Sequence, residues 1–177
     1  MLIPFFIGVV CITLFDQLTK LIVLSELTKV STVELIEKVF YFTYCENTGA
    51  GFSIFAEHTG VLAAVSCCVI VAMILYVVLK KPQSRVLNVA LTFLVGGAIG
   101  NLIDRVRLGF VVDFLDFRLI DFPIFNVADC FVTIGAALFI VYIIFIDGKQ
   151  AKEKKTIENE NTAEKEQEDG TKNRDEC

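Results

Sequence analysis

The fold is decided by residues 96–129, GGAIGNLIDRVRLGFVVDFLDFRLIDFPIFNVAD, which lie between two long apolar runs. This stretch carries five aspartates and three arginines: Asp104, Asp113, Asp116, Asp121, Asp129, Arg105, Arg107 and Arg118. Ionisable groups at the edge of an apolar span are costly to dehydrate, so they mark a candidate functional site.

The amino-acid composition indicates a membrane protein. The chain has 177 residues, 55% of them hydrophobic, and its mean hydropathy is +0.65. A soluble domain has roughly 45–50% apolar residues, so this surplus requires lipid as its solvent. The formal net charge is -5, and more than half of it comes from the last 27 residues, with nine acidic and six basic side chains. There is no basic patch interleaved with aromatic residues, so we expect no nucleic-acid partner.

Four apolar runs predict four transmembrane helices, at about residues 2–24, 61–79, 86–103 and 130–146. Between them, VFYFTY in the first long loop and FVVDFLDF in the second are rich in strand-forming residues. The predicted fold class is therefore an all-α membrane protein with four transmembrane helices, a small extracytoplasmic β element and an interfacial loop.

The predicted domain organisation is one membrane domain followed by a tail. Residues 1–148 form the four-span domain, whereas residues 149–177 have the low apolar content and mixed charge of a disordered segment. Basic residues flank the short middle loop and begin the tail: Lys80, Lys81, Arg85, Lys149, Lys152, Lys154 and Lys155. The positive-inside rule then places both termini in the cytoplasm. The unusual polar residues converge on the outer face of the membrane.

The six cysteines and the single histidine form no metal-binding motif. No CxxC, P-loop, GxSxG or Rossmann fingerprint is present. Most of the cysteines lie in or beside apolar runs, where cysteine acts as a small apolar filler. Cys45 is placed to face an oxidising compartment but has no obvious partner. We therefore predict neither a metal nor a cofactor.

Two polar features in the first half of the chain each have two interpretations. Asp16 and Lys20 are four residues apart, so they share one face of the first helix and can pair. The pair either lowers its own insertion cost or turns inward to support a polar site. Asn47-x-Gly49-x-Gly51 is by itself typical of a turn, and it gains a functional meaning only beside the aspartates.

The aspartates after the third span also have alternative interpretations. Asp104 and Arg105 can pair at the end of that span. Alternation along residues 110–117 places Asp113 and Asp116 on opposite faces of a strand. Asp129, or Asn126 three residues before it, is suited to cap the fourth helix. We expect Asp116 and Asp121 to be surface charges.

Five motifs, with four spans in this order, resemble bacterial lipoprotein signal peptidase, also called signal peptidase II. They are DQLTK (16–20), NTGAGFS (47–53), GNLIDR (100–105), VVDF (111–114) and FNVAD (125–129). The resemblance covers residues 2 to about 146, and the last three motifs are specific at this spacing. One departure is Gly51, where the family pattern has alanine.

The resemblance implies an intramembrane aspartic endopeptidase of the bacterial cytoplasmic membrane. It implies cleavage of prolipoproteins just before their diacylglyceryl-modified cysteine, with the membrane lipid as a second partner, and we expect a functional monomer. By motif, Asp113 and Asp129 match the catalytic aspartates. The matching supporting positions are Asp16, Lys20, Asn47, Gly49, Gly97, Asn101, Asp104, Arg105 and Asn126.

Two neighbouring carboxylates are the minimum for metal-free peptide hydrolysis by an activated water. One carboxylate takes a proton from the water and the other donates a proton to the carbonyl oxygen, but the sequence does not assign the two roles. An apolar groove with Phe52 or Phe114 at its rim would suit the lipid chains.

Two other classes of protein compete with a peptidase. Intramembrane carboxylates also serve proton relays in transporters, although spans with charges gathered at one face do not resemble inverted repeats. A non-catalytic membrane scaffold gives no reason for Asp113 and Asp129 to bracket one loop.

Overall fold

The computed structural model describes residues 2–49 and 59–147, with side chains described as far as Phe145. Gly51, Phe52 and the tail 149–177, about which the sequence made predictions, lie outside the described residues. The chain divides into two compact units, Met1–Phe139 and Ile140–Cys177. The sheet and the candidate site belong to the first unit.

The described residues contain four helices that are long and apolar enough to cross a membrane. They are α1 (Leu2–Val30), α2 (Thr59–Lys80), α3 (Arg85–Arg107) and α4 (Val127–Val141), followed by a π-helical segment, Tyr142–Asp147. The prediction of four spanning helices is confirmed.

Two helices extend beyond the spans that the sequence predicted. α1 runs to Val30 and α3 to Arg107, beyond the predicted ends at residues 24 and 103. In α1 the hydroxyls of Ser25 and Thr28 donate to the carbonyls of Ile22 and Leu24, so polar residues continue the helix past the apolar run. Apolar length therefore marks the lipid-facing part of a helix and not its full extent.

α3 lies at the centre of the helices. In its most apolar 18-residue stretch, 44% is buried inside the protein, against 11% in the corresponding stretches of α2 and α4. Small residues let its neighbours approach: a Cβ at Gly96 would meet Ile12 of α1, and one at Gly97 would meet Ala128 of α4. The buried face of α1 turns toward this centre, with the residues Phe5, Val9, Ile12, Asp16, Lys20, Val23 and Leu27.

A three-stranded antiparallel sheet confirms the predicted β element. Its strands are β1 (Thr32–Ile36), β2 (Phe40–Asn47) and β3 (Val111–Phe117), in the order β1-β2-β3. In the register of β2 with β3, Cys45 lies opposite Asp113.

The sheet packs on the end of α1. Val112 and Phe114 of β3 form a buried cluster with Val23 and Leu27 of α1. Phe114 is thus a core residue and does not lie at the rim of a groove, while the alternative rim residue, Phe52, is outside the described residues. Alternation along the strand turns the Phe114 ring to the face that covers the helix end.

Replacing Gly97 with alanine should destabilise the protein by about 1–3 kcal/mol, the usual effect of overpacking. A Cβ there would lie 2.5 Å from the carbonyl oxygen of Ala128 and 2.9 Å from Val132 Cγ2. Thermal unfolding of the purified protein measures the loss. The control is Gly60→Ala, where an added Cβ meets no described atom within 4 Å. Equal unfolding temperatures for the two variants would contradict tight packing of α3 on α4.

Candidate active site

Asp113 and Asp129 line one cavity of about 780 Å³. Asn47, Asn101 and Arg105 line it as well. The remaining wall is mostly apolar and includes Val111, Phe122, Ile124, Phe125, Val132 and Ile134. The structure therefore brings both predicted catalytic aspartates together with three of the predicted supporting residues.

β3 places Asp113 at the cavity with both carboxylate oxygens occupied. Asn47 Nδ2 donates to Oδ2 at 2.9 Å, and Asn126 Nδ2 donates to Oδ1 at 2.6 Å. Burial and the neighbouring charge of Asp129 raise the pKa of the Asp113 carboxyl from 3.8 to about 6. The bonds from the two amides oppose this rise because they favour the ionised form.

Asn126 and Asp129 cap α4 reciprocally. Asn126 Oδ1 accepts the N–H of Asp129 at 3.0 Å, and Asp129 Oδ2 accepts the N–H of Asn126 at 3.2 Å. This is a capping box, which satisfies two N–H groups that the helix leaves free. The same residues also bond Asp113 and Asn101, so the cap is part of the hydrogen-bond network at the cavity.

Lys20 is buried at the centre of a charged cluster. Its ammonium lies 3.0 Å from Asp16 Oδ2 and 2.8 Å from Asp104 Oδ2, and it donates to Asn101 Oδ1 at 2.8 Å. Asp16 in turn accepts the N–H of Ala128 at 2.9 Å. The predicted Asp16–Lys20 pair therefore forms, and its face of α1 also turns inward to the site.

Asp104 pairs with Lys20, and Arg105 turns to a different partner. The guanidinium of Arg105 donates from Nη2 to the carbonyl of Gly49 at 3.1 Å. Adjacent residues on a helix point about 100° apart, so Asp104 faces α1 while Arg105 faces the cavity. The predicted pairing of Asp104 with Arg105 was wrong for this reason.

Asp104 also connects α3 to the sheet, since its Oδ2 accepts the N–H of Val112 at 3.2 Å. Gly49 fits beside Asn47, whose Oδ1 accepts the N–H of Gly49 at 2.9 Å. This bond joins the first and third residues of the motif that begins at Asn47.

Asp116 is a buried residue, so the prediction of a surface charge was wrong. Its side chain accepts from Thr43 Oγ1 at 2.7 Å and from Arg118 Nε at 2.9 Å. These partners on the neighbouring strand and turn replace the water that a buried carboxylate loses. Asp121 is exposed as predicted and adopts a left-handed backbone with a φ of 53°.

Sequence reasoning missed two residues of this network. Gln17 Nε2 donates to Asp104 Oδ1 at 3.0 Å and to the carbonyl of Gly100 at 3.1 Å. Gly100 in turn leaves room for Asp16, because an added Cβ would overlap its carboxylate. The available signal was their position: both lie directly beside residues already singled out, inside apolar helices.

Cys45 and Cys130 line the cavity and are free thiols. Across residues 2–49 and 59–147, no three His, Cys, Asp or Glu side chains are grouped as metal ligands would be. The groups that line the described cavity include the carboxylates of Asp113 and Asp129, two carboxamides, one guanidinium and two thiols.

The fold and the site define a class: a multi-pass membrane protein with two carboxylates in one cavity, Asp113 on the sheet and Asp129 in the first turn of a spanning helix. The model of the signal peptidase (SPase) II family matches residues 8–145. The chain belongs to the signal peptidase II family. Membership makes it a peptidase, and with its four apolar helices it is a multi-pass protein of the bacterial inner membrane.

Individual relatives agree with this family. The lipoprotein signal peptidase of Clostridioides difficile (strain 630) is 40% identical over 134 residues, 76% of this chain and 90% of the relative. That of Brevibacillus brevis is 41% identical over 136 residues, again 76% of this chain and 90% of the relative.

Solved structures show the same fold. A bacterial membrane enzyme determined by the in meso method at 2.3 Å resolution superposes with a TM-score of 0.73 at 32% identity, covering 80% of this chain and 87% of that one. A second such structure, at 1.9 Å resolution, gives a TM-score of 0.72 at 31% identity, with 81% and 94% covered.

Asn126→Ala should lower the free energy of unfolding by about 2–4 kcal/mol. It removes a helix cap, worth about 1 kcal/mol, and leaves buried partners without hydrogen bonds at a further cost of about 1–3 kcal/mol. Thermal or denaturant unfolding measures the change. The matched control is Ser84→Ala, which removes the cap of α3; among the described residues, the Ser84 side chain accepts a hydrogen bond from Leu87 N alone. Equal losses for both variants would contradict a role of Asn126 beyond capping.

Proposed function

We propose that the protein is an aspartic endopeptidase that removes signal peptides from lipid-modified prolipoproteins, cutting just before the diacylglyceryl-cysteine. The observation that carries the proposal is the placement of Asp113 and Asp129 in one cavity, linked through Asn126. The relatives named as lipoprotein signal peptidases supply the substrate class.

In this proposal Asp129 is the general base and Asp113 the general acid. Asp129 lies in the first turn of α4, where the partial positive charge of the helix end stabilises a carboxylate. Asp113 lies on a strand, and burial raises its pKa to about 6, which favours retention of its proton. Two interacting carboxylates of unequal surroundings divide the acid and base roles in this way.

The reaction then proceeds in two proton-balanced steps. Asp129 takes a proton from a water molecule as the water oxygen attacks the scissile carbonyl carbon, and Asp113 gives its proton to the carbonyl oxygen. The tetrahedral intermediate then collapses. Asp129 gives its proton to the leaving amine nitrogen, the C–N bond breaks, and the hydroxyl proton returns to Asp113.

The cavity wall supports a membrane-bound substrate. Val132 and Ile134 of α4 line the cavity on the C-terminal side of Asp129, so the apolar part of the cavity extends along a membrane-spanning helix. A peptide whose cysteine carries acyl chains is held at this depth by its own lipid. Phe122 and Phe125 line the cavity from the loop before α4.

The supporting residues divide by what they contact. Asn47 and Asn126 orient Asp113, while Asn101 orients Asp129. Arg105 lines the cavity and bonds Gly49, so it shapes the wall near the aspartates. A second group supports these residues through its ion pairs and consists of Asp16, Lys20 and Asp104. Gly97 supports them by close packing against α4.

The proposal includes an orientation and a domain boundary. Both termini lie in the cytoplasm and the aspartates near the outer face, as the distribution of basic residues predicts. The peptidase domain comprises residues 1–148, followed by the charged tail 149–177. The enzyme acts as a monomer without a metal or cofactor.

Asp113→Asn and Asp129→Asn should each lower the rate by about 10²–10⁴-fold, because each removes one proton-transfer group. The measurement is cleavage of a lipid-modified prolipoprotein by the purified variant in lipid or detergent. Asp121→Asn, which changes an exposed aspartate, is the control and should match the wild type. Near wild-type cleavage by either dyad variant would overturn the proposal.

The pH profile tests the assignment of the acid. Asp113 must be protonated to act, so kcat/KM should fall as the pH rises through about 6. Asn47 stabilises the ionised form, and Asn47→Ala should therefore raise the pKa of Asp113 and move this fall to higher pH.

Glu37→Gln, at an exposed position in the β1–β2 turn, is the control and should leave the profile unchanged. If Asn47→Ala instead moves only the acidic side of the profile, Asp113 is the base and the assigned roles are reversed.

A further inference from the structure

Backbone N–H donors fix the orientation of the carboxamides of two asparagines beside Asp113. A carboxamide has a donor end and an acceptor end of nearly equal size, so its neighbours set its orientation. Asn47 Oδ1 accepts the N–H of Gly49, and Asn126 Oδ1 accepts the N–H of Asp129. In both residues the amide nitrogen is left to face Asp113.

The orientation of the Asn101 carboxamide is fixed by a side chain, that of Lys20. The ammonium of Lys20 donates to Asn101 Oδ1 at 2.8 Å, and Asn101 Nδ2 donates to Asp129 Oδ1 at 2.8 Å. Asn126 Nδ2 also donates to Asn101 Oδ1, at the longer distance of 3.1 Å and without a charge. The charge-assisted bond from Lys20 is the stronger of the two.

A reversed Asn101 carboxamide would meet repulsion at both ends. Its oxygen would face the carboxylate of Asp129, and its NH₂ would face an ammonium that can only donate. The cation of Lys20 thus favours a single orientation of the Asn101 carboxamide, the one in which Nδ2 donates to Asp129.

The bond to Asn101 connects the buried ion cluster of Lys20 to the cavity. The Lys20 side chain is only 2% exposed, and an ammonium has three hydrogens to place. Asp16 and Asp104 accept two of them, which compensates the charge and joins α1 to α3. The third hydrogen is directed at Asn101, which lines the cavity.

We propose that Lys20 is a positioning residue for peptide hydrolysis. Its bond to Asn101 orients the Asn101 N–H that donates to Asp129, and this bond holds the Asp129 carboxylate toward the attacking water. The role assigned to Lys20 rests on the proposed function, because it acts on the same aspartate pair. Lys20 orients the base and does not itself contact the substrate.

The test compares Lys20→Met, Asn101→Ala and the double variant as full-length purified enzymes on a lipid-modified prolipoprotein. Each single variant should lower kcat by about tenfold or more, as expected when a hydrogen bond to a charged group is lost. KM should change by less than about twofold, because the affected bond is present both in the free enzyme and in the substrate complex. The double variant should be no slower than the slower single variant, since both residues act in one chain of bonds.

Two controls separate positioning from folding. Lys29→Met changes an exposed lysine on the same helix and should keep the wild-type kcat. Because Lys20→Met leaves Asp16 and Asp104 without their cation, the charge-balanced variant Lys20→Met with Asp104→Asn is measured too. All rates are expressed per folded enzyme, determined from the amplitude of thermal unfolding.

A wild-type kcat in the charge-balanced variant, or losses that multiply in the Lys20→Met and Asn101→Ala double variant, would overturn the role of Lys20. The proposed function fails through a different result, an active Asp129→Asn enzyme. The two failures are therefore distinguishable.

Discussion

The dehydrated ion cluster around Lys20 is the interaction on which the rest of the structure depends. Asp16 of α1 bonds Lys20 and also receives the N–H of Ala128 at the start of α4. Asp104 of α3 bonds Lys20 and receives the N–H of Val112 in β3. Buried charges are tolerated only when they are paired and hydrogen-bonded. The cluster therefore holds three helices and the sheet in one arrangement, and each contact is needed to compensate another.

The site is built from groups that the fold needs in any case. Asn126 and Asp129 cap a helix and also connect to Asp113 and Asn101. Such double use explains how so small a membrane domain can orient two carboxylates. It also means that a change at one of these positions alters stability and chemistry together, so rates are informative only per folded molecule.

Run lengths and strand-forming residues were sufficient to predict four spanning helices and the small sheet, because lipid thickness and alternation leave few other choices. Motifs singled out Asp113 and Asp129, which the structure places in one cavity. The Asp16–Lys20 pair was predictable because it lies within one helix, whereas the partner of Asp104 was not. That Asp104 meets Lys20 depends on the rotation of α3 against α1, which apolar length does not encode. Phe114 and Asp116 were misplaced for the same reason: their burial depends on what covers each face of β3.

The spacing of Asp16 and Lys20 has a consequence for biogenesis. α1 precedes α3 in the chain, so it must enter the membrane before Asp104 is available to it. Four residues apart on one helix face, Asp16 and Lys20 give the first segment its own counter-ion during insertion. When α3 arrives, Asp104 can join a cation that is already in place. The order of synthesis thus matches the order in which the charges can be neutralised.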